Sequence, residues 1–229
     1  MGKLSVGILG TGFGAKVLGP AFKTLSDVAV TAIAGQNRHK AASAGQALDI
    51  PTVHDSWQGL IDDEQVEAVV VAVPPSSHLE VVTAALRAGK HVLCEKPFGV
   101  DADQAAQMCE LARESGRVCM VDYLFRAAPE RVRLKELLDG QAIGRLIRVT
   151  VEWTVRGRAA GNSAWSWQFD PSSGGGVLFA FGSHVVDYLQ WLVGPVRSVA
   201  ARMSTRGGPS QAASFGRPVA ADTLDAMLL

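Results

Sequence analysis

Residues 4–15 read LSVGILGTGFGA. An apolar, partly β-branched run, Leu4–Leu9, enters a turn with glycine at positions 10, 12 and 14, and a helical pattern continues to about Leu25. The spacing fits G-x-G-x-x-G/A on Gly10, Gly12 and Ala15. In a strand–turn–helix unit the first glycine allows the tight turn and the second lets the backbone approach a pyrophosphate. The third small residue lets helix and strand pack closely, while the helix N-terminus turns its N–H groups toward the phosphates. Glycine-rich turns are common, so the motif gains meaning only from the chain around it.

Working outward, Val28–Ala34, Glu67–Val73, His91–Cys94 and Arg117–Val121 read as further strands. Glu67–Val73 is nearly continuous in apolar residues and stops at Pro74-Pro75, as a strand buried on both faces does. Helical segments lie between them, including Leu79–Ala88 closed by Gly89 and 101–115 closed by Gly116. At the start of the latter, Asp101 caps and Gln104 takes the reciprocal position of a capping box. Strands alternating with helices predict an α/β fold, an N-terminal Rossmann doubly wound parallel sheet over residues 1–122. After about Asp122 the pattern changes. Pro129–Leu138 reads as a helix and Leu146–Trp153 as a half-exposed strand. A polar, tryptophan-bearing loop leads into GGGVLFAFGSHVVD at 174–187, a helix that runs to about Val193. Val196–Ser204 alternates like a strand, Thr205–Ala221 reads as loop, and Asp222–Leu229 as the start of another strand. Residues 123–229 read as a second unit, with the boundary near residues 120–128.

Composition narrows the function. The 229 residues are 48% hydrophobic and 19% charged, so a packed core is expected. Lys+Arg and Asp+Glu are both 22, which gives no basic excess for a nucleic acid or an anionic membrane. Arg145, Arg148, Arg156 and Arg158 read as a solvated face. Cys94, Cys109 and Cys119 show no metal-ligand spacing and sit in apolar contexts, so they read as small core residues in a reducing compartment. No metal is expected. The apolar N-terminal stretch is too short for a signal peptide, and no run reads as the roughly 18 apolar residues of a membrane span. A soluble cytoplasmic protein is the expectation.

The position that reads the ribose of a dinucleotide lies after the second strand, in AGQNRHK at 34–40. It holds no acid for the 2′-OH of NAD, and Arg38 and Lys40 offer positive charge to a 2′-phosphate. Either NAD or NADP is expected, with a lean to NADP. The expected cofactor contacts are Gly10, Thr11, Gly12, Phe13, Gly14, Ala15, Gln36, Asn37, Arg38, Pro74, His78, Glu95 and Lys96. Residues 88–99, AGKHVLCEKPFG, run a short strand into Glu95-Lys96-Pro97. Ligands of open parallel sheets bind outside the carboxyl ends of the strands. A lysine there can hydrogen-bond a hydroxyl and stabilise an alkoxide, and the Lys96–Pro97 bond is one that can be cis.

With these pieces in place the sequence resembles the Gfo/Idh/MocA oxidoreductases. The matching stretches are GTGFGA at 10–15, VPPSSH at 73–78, AGKHVLCEKPFG at 88–99, FRAAP at 125–129 and GGGVLFAFGSHVVDYLQWLVG at 174–194. The resemblance implies a partial α/β (open-sheet) substrate-binding domain over residues 123–229, a nicotinamide cofactor, and hydride exchange with a hydroxyl or carbonyl carbon of a sugar, inositol or related cyclic polyol. It maps the catalytic lysine to Lys96 and the catalytic histidine to His184. An imidazole, with an ordinary pKa near 6.5, suits the proton-accepting role. Arg126, Trp165, Trp167, Asp170 and Asp187 are candidate pocket residues alongside Lys96 and His184.

Two departures bear on these expectations. Many members carry an aspartate four residues before the histidine, where this chain has Ala180. Residues three or four apart share a helix face, so Asp187, or Asp170 from the loop, is expected to support the imidazole instead. The chain also stops while the second sheet is still being built, which suggests a truncated frame or fragment. A longer form would be able to oligomerise through that sheet. The alternative reading is a non-catalytic NAD(P)-binding sensor or an inactive fragment.

Overall fold

The structure is a computed structural model and describes residues 2–154, 166–205 and 222–228. The chain divides into two compact units, 1–122 and 123–229.

The first unit is a six-stranded sheet of order β3-β2-β1-β4-β5-β6, with every neighbouring pair parallel. The strands are β1 (Leu4–Leu9), β2 (Val28–Ala34), β3 (Thr52–His54), β4 (Ala68–Val71), β5 (His91–Cys94) and β6 (Cys119–Val121). Strand order reverses between β1 and β4, and the glycine turn leaves β1 at that point. Alternation along each strand sends neighbours to opposite faces. Leu9, Ala32, Ala34, Val69 and Val71 join one buried cluster, and Val6, Ile8, Ile33 and Val70 the other. Helices α3 (Trp57–Asp62), α4 (His78–Arg87) and α5 (Ala102–Ser115) cover the first face through Leu60, Val81, Val82, Leu86 and Met108. A π-turn at Gly14–Leu18, α1 (Gly19–Lys23) and α2 (Arg38–Ala47) cover the second through Ala15, Leu18, Phe22 and Leu48. Full burial of each branched side chain contributes roughly 1.5–3 kcal/mol, which makes this sheet the main source of stability.

Local signals set the ends of these elements. Asp101 caps α5 by accepting from Gln104 N at 2.8 Å, and Gly116 ends the helix with a left-handed φ of 62°. The return bond of the capping box differs from the expected one: Gln104 Oε1 accepts from Val100 N at 3.4 Å. Of the three cysteines only Cys94 is buried; Cys119 is half-buried and Cys109 is exposed on α5. The reading of all three as core residues is corrected accordingly, since α5 turns only part of its surface to the sheet.

In the second unit, a 3-10 turn at Leu124–Ala127 leads to α6 (Pro129–Asp139), opened by proline at its first position. A π-turn at Leu178–Gly182 precedes α7 (Ser183–Val193), and β7 (Val199–Ser204) pairs antiparallel with β8 (Thr223–Leu228). The strand expected at 146–153 does not form: the described residues give it no ladder partner, and an alternating pattern alone cannot make a strand. One stretch, Pro171–Val193, is long and apolar enough to cross a membrane by length and composition alone.

Candidate active site

The glycine turn is shaped as the motif predicts. Gly10 has φ 123°, and a Cβ there would lie 2.2 Å from the Ala72 carbonyl oxygen, so only glycine fits. A Cβ on Gly12 would meet nothing within 4 Å, so space lies open above the turn. The close approach of helix to sheet is made at Gly14, with Ala72 and Ile8 each 3.0 Å from its would-be Cβ; Ala15 is buried beside it. Thr11, Gly12 and Phe13 remain accessible at the carboxyl end of β1. This open, backbone-lined turn fits a dinucleotide pyrophosphate.

After β2, Gln36, Asn37, Arg38 and Lys40 are exposed. Asn37 caps α2 by accepting from Lys40 N at 3.0 Å. Arg38 pairs with Asp55 at 3.1 Å, with both side chains exposed, a contact worth little in water.

The segment carrying Lys96 is fixed at several points. Glu95 N donates to Val71 O at 2.9 Å, and Asp122 N to Cys94 O at 2.8 Å. The Lys96–Pro97 peptide is cis. His78 is completely buried. Its Nδ1 lies 3.0 Å from Pro97 O and 3.3 Å from Phe98 O, and its Nε2 lies 3.0 Å from Val73 O. The ring thus ties the chain after β4 to the chain after β5. Its pKa is lowered, chiefly by burial, and a neutral ring donates from one nitrogen at a time. This corrects the expectation that His78 contacts the cofactor: both nitrogens face backbone carbonyls and no surface is left. Pro74, half-buried beyond the end of β4, stays at the sheet mouth.

Burial lowers the Lys96 pKa, while Glu95 and then Asp122 pull it back up. Glu95 is raised to about 7, first by burial and then by the charge of Asp122. The sequence reading missed Asp122. The signal was available, because Glu95 and Asp122 each follow the last residue of adjacent paired strands, Cys94 opposite Val121.

His184 lies on α7 and is only 6% exposed. The Phe125 ring centroid is 4.4 Å from its own, at an interplanar angle of 44°, and Tyr123 packs edge-on at 5.9 Å. These aromatic side chains, which sequence reasoning also missed, enclose the imidazole where Ala180 offers no carboxylate. Asp187, one turn along, is engaged elsewhere: Arg126 Nε donates to its Oδ2 at 2.8 Å, and Arg126 Nη2 to its Oδ1. Asp170 accepts from Ser172 N, Ser172 Oγ and Ser173 Oγ and caps its own turn. Those bonds hold its pKa down. The structure therefore gives Asp187 to Arg126 and Asp170 to a turn, which corrects the expectation that one of them braces the imidazole. Trp165, Arg156 and Arg158 lie outside the described residues; Trp167 is exposed. A cavity of about 310 Å³ reaches His184, lined also by Arg131, Trp153, Val185 and Tyr188. Among the described residues, no three His, Cys, Asp or Glu side chains gather as a metal site.

Residues 4–123 match the oxidoreductase family with an NAD-binding Rossmann fold, and residues 131–228 match the GFO/IDH/MocA C-terminal domain. The chain belongs to the Gfo/Idh/MocA oxidoreductase family. It is 36% identical to an uncharacterised oxidoreductase of Synechocystis sp. over 88% of this chain and 54% of that protein. It is 32% identical to the NADP-dependent D-xylose 1-dehydrogenase 2 of Haloferax volcanii over 87% of this chain and 61% of that one. Among solved structures, levoglucosan dehydrogenase in complex with NADH and levoglucosan superposes with a TM-score of 0.83 at 29% identity, covering 99% of this chain and 63% of that one. The chain thus spans between half and two thirds of the length of these relatives. The apolar run Pro171–Val193 falls inside the matched C-terminal domain.

Proposed function

We propose that the chain is an NAD(P)-dependent oxidoreductase that moves hydride between a nicotinamide and a hydroxyl or carbonyl carbon of a sugar-like polyol. The observation that carries this reading is Lys96, held at the carboxyl end of β5 by a segment that His78 pins to the end of β4. The dehydrogenases of D-xylose and levoglucosan among its relatives support a sugar-like substrate. A bound nicotinamide supplies the hydride acceptor or donor. The open turn at Gly10–Phe13 would hold its pyrophosphate. The Lys96 ammonium polarises the substrate oxygen, and the His184 imidazole takes the hydroxyl proton during oxidation. The enclosing rings of Tyr123 and Phe125 hold that imidazole in one orientation. Its work is done as a soluble cytoplasmic enzyme.

NADP(H) is the proposed preference. The support is the absence of an acid at 34–40 together with exposed Arg38 and Lys40. In calorimetric titrations NADPH should bind more tightly than NADH. Arg38→Ala should cost NADPH about 1.5 kcal/mol and leave NADH unchanged; tighter NADH binding rejects the preference.

Turnover tests the main reading. A panel of aldoses, anhydrosugars and inositols is assayed with both nucleotides. At least one substrate should be oxidised, and Lys96→Ala should slow it roughly a hundredfold or more. Undiminished turnover in Lys96→Ala overturns the assignment.

A further inference from the structure

The ends of β5 and β6 bring two carboxyl groups together. Glu95 and Asp122 follow the paired residues Cys94 and Val121, and the Asp122 N–H bond to Cys94 O keeps the two strand ends in register. Glu95 Oε2 accepts from Lys96 N at 3.2 Å. Glu95 Oε1 and Asp122 Oδ2 are buried and, as carboxylate oxygens, meet no donor, and a hydrogen bond between the two carboxyls is among the causes that raise Glu95. Two ionised carboxylates can only accept, so neither relieves the other. A buried acceptor without a donor is costly, and two like charges at close range add repulsion. One proton removes both penalties: the carboxyl that carries it donates to the carboxylate that does not.

We propose that Glu95 and Asp122 share one proton, and that keeping or releasing it sets the charge that faces the Lys96 ammonium. The inference rests on the reading of Lys96 as the group that polarises substrate. With the proton the pair carries one negative charge and balances the ammonium. Without it the pair carries two, and the excess negative charge opposes formation of an alkoxide. Glu95 and Asp122 are then positioning residues that act through Lys96. The other titratable groups here are the Cys94 thiol, pushed up by burial, and His78, held toward its neutral form by burial. Neither adds charge near neutral pH. The upward displacement of Glu95 to about 7 agrees with a retained proton.

Carboxyl-carbon NMR titration of the full chain tests the pair without any need for turnover. The wild type should show a carboxyl step near pH 7. In Asp122→Asn that step should move down by about one unit or more. The Lys96 titration should also fall in that variant, because one of two raising charges is gone. In turnover, the ratio of wild-type to Asp122→Asn kcat should drop as pH rises through the step, and Asp122→Glu should restore the wild-type profile. A merely structural aspartate would change the rate without changing this pH dependence. If Asp122→Asn does not fold, Glu95→Gln should abolish the step near neutrality. The proposal is overturned if both carboxyls of the wild type titrate below about pH 5, or if the step near neutrality survives Asp122→Asn unchanged. Loss of turnover in Lys96→Ala without a neutral carboxyl step would sink the shared proton and leave the oxidoreductase reading standing. A neutral step with no role for Lys96 in turnover would overturn the coupling to catalysis.

Discussion

The two units of this chain bury their side chains very differently. In the first, β1, β2, β4 and β5 place alternate residues in two clusters, and nearly every fully buried apolar side chain among the described residues belongs there. Among the described residues of the second, the buried side chains are Leu192 and His184, while Ile143, Ile147, Val199, Met203 and Met227 are exposed. A parallel sheet covered on both faces closes its own core. The hairpin β7–β8 pairs two strands, with Leu224 packed at Gly182 and most of its other described residues exposed, and a two-stranded ribbon is marginal in water. The first unit can therefore hold a strained turn and buried carboxyls. The second packs its histidine against aromatic rings.

The largest expected effect tests the rigidity of the first unit. Gly10→Ala places a Cβ against the Ala72 carbonyl at a left-handed φ and should cost about 3 kcal/mol or more in denaturant unfolding. A variant as stable as wild type would break the contrast.

The next effect follows from Glu95. Its pKa is raised from 4.5 to about 7 in the folded chain, so the folded state holds that proton more tightly. The stability this contributes is fully present below the unfolded value and is lost as pH rises to the folded one. Between pH 4.5 and 7 the wild type should lose on the order of 2 kcal/mol that Glu95→Gln does not lose. Parallel pH curves for the two proteins would remove the buried acid from the account.

A smaller effect belongs to the second unit. Asp187→Asn weakens the paired bonds from Arg126, whose side chain is 47% exposed. Solvent screening reduces the loss to about 1 kcal/mol. Faster amide exchange in α7 should report it, with β1 and β4 unaffected. At the bottom of the scale, exposed Cys109→Ser should change stability by less than about 0.5 kcal/mol.

The same contrast separates what the sequence disclosed from what it did not. Five of the six Rossmann strands were legible because apolar runs and glycine stops are local signals; β3, three half-buried residues at the sheet edge, gave no such run. Gly10 and the cap at Asp101 could be placed from spacing, and Lys96 from its place after a strand together with the family resemblance. The strand at 146–153 misled because alternation gives one strand's faces and says nothing of a partner. His78 read as a cofactor contact because its sequence neighbours sit at a sheet mouth; its burial is a tertiary fact. Asp122 escaped notice because its meaning depends on Glu95, 27 positions away in the chain and adjacent only through strand pairing. The bond from Arg126 to Asp187 and the rings around His184 likewise join residues about 60 positions apart.

The most direct test of the central claim is a calorimetric titration of NADPH and NADH into the wild-type chain and into Lys96→Ala. The account predicts one nucleotide site per chain in both proteins, with affinities within a few-fold of each other, because it assigns the pyrophosphate to the Gly10–Phe13 turn and not to Lys96. A wild-type chain that binds neither nucleotide would contradict it.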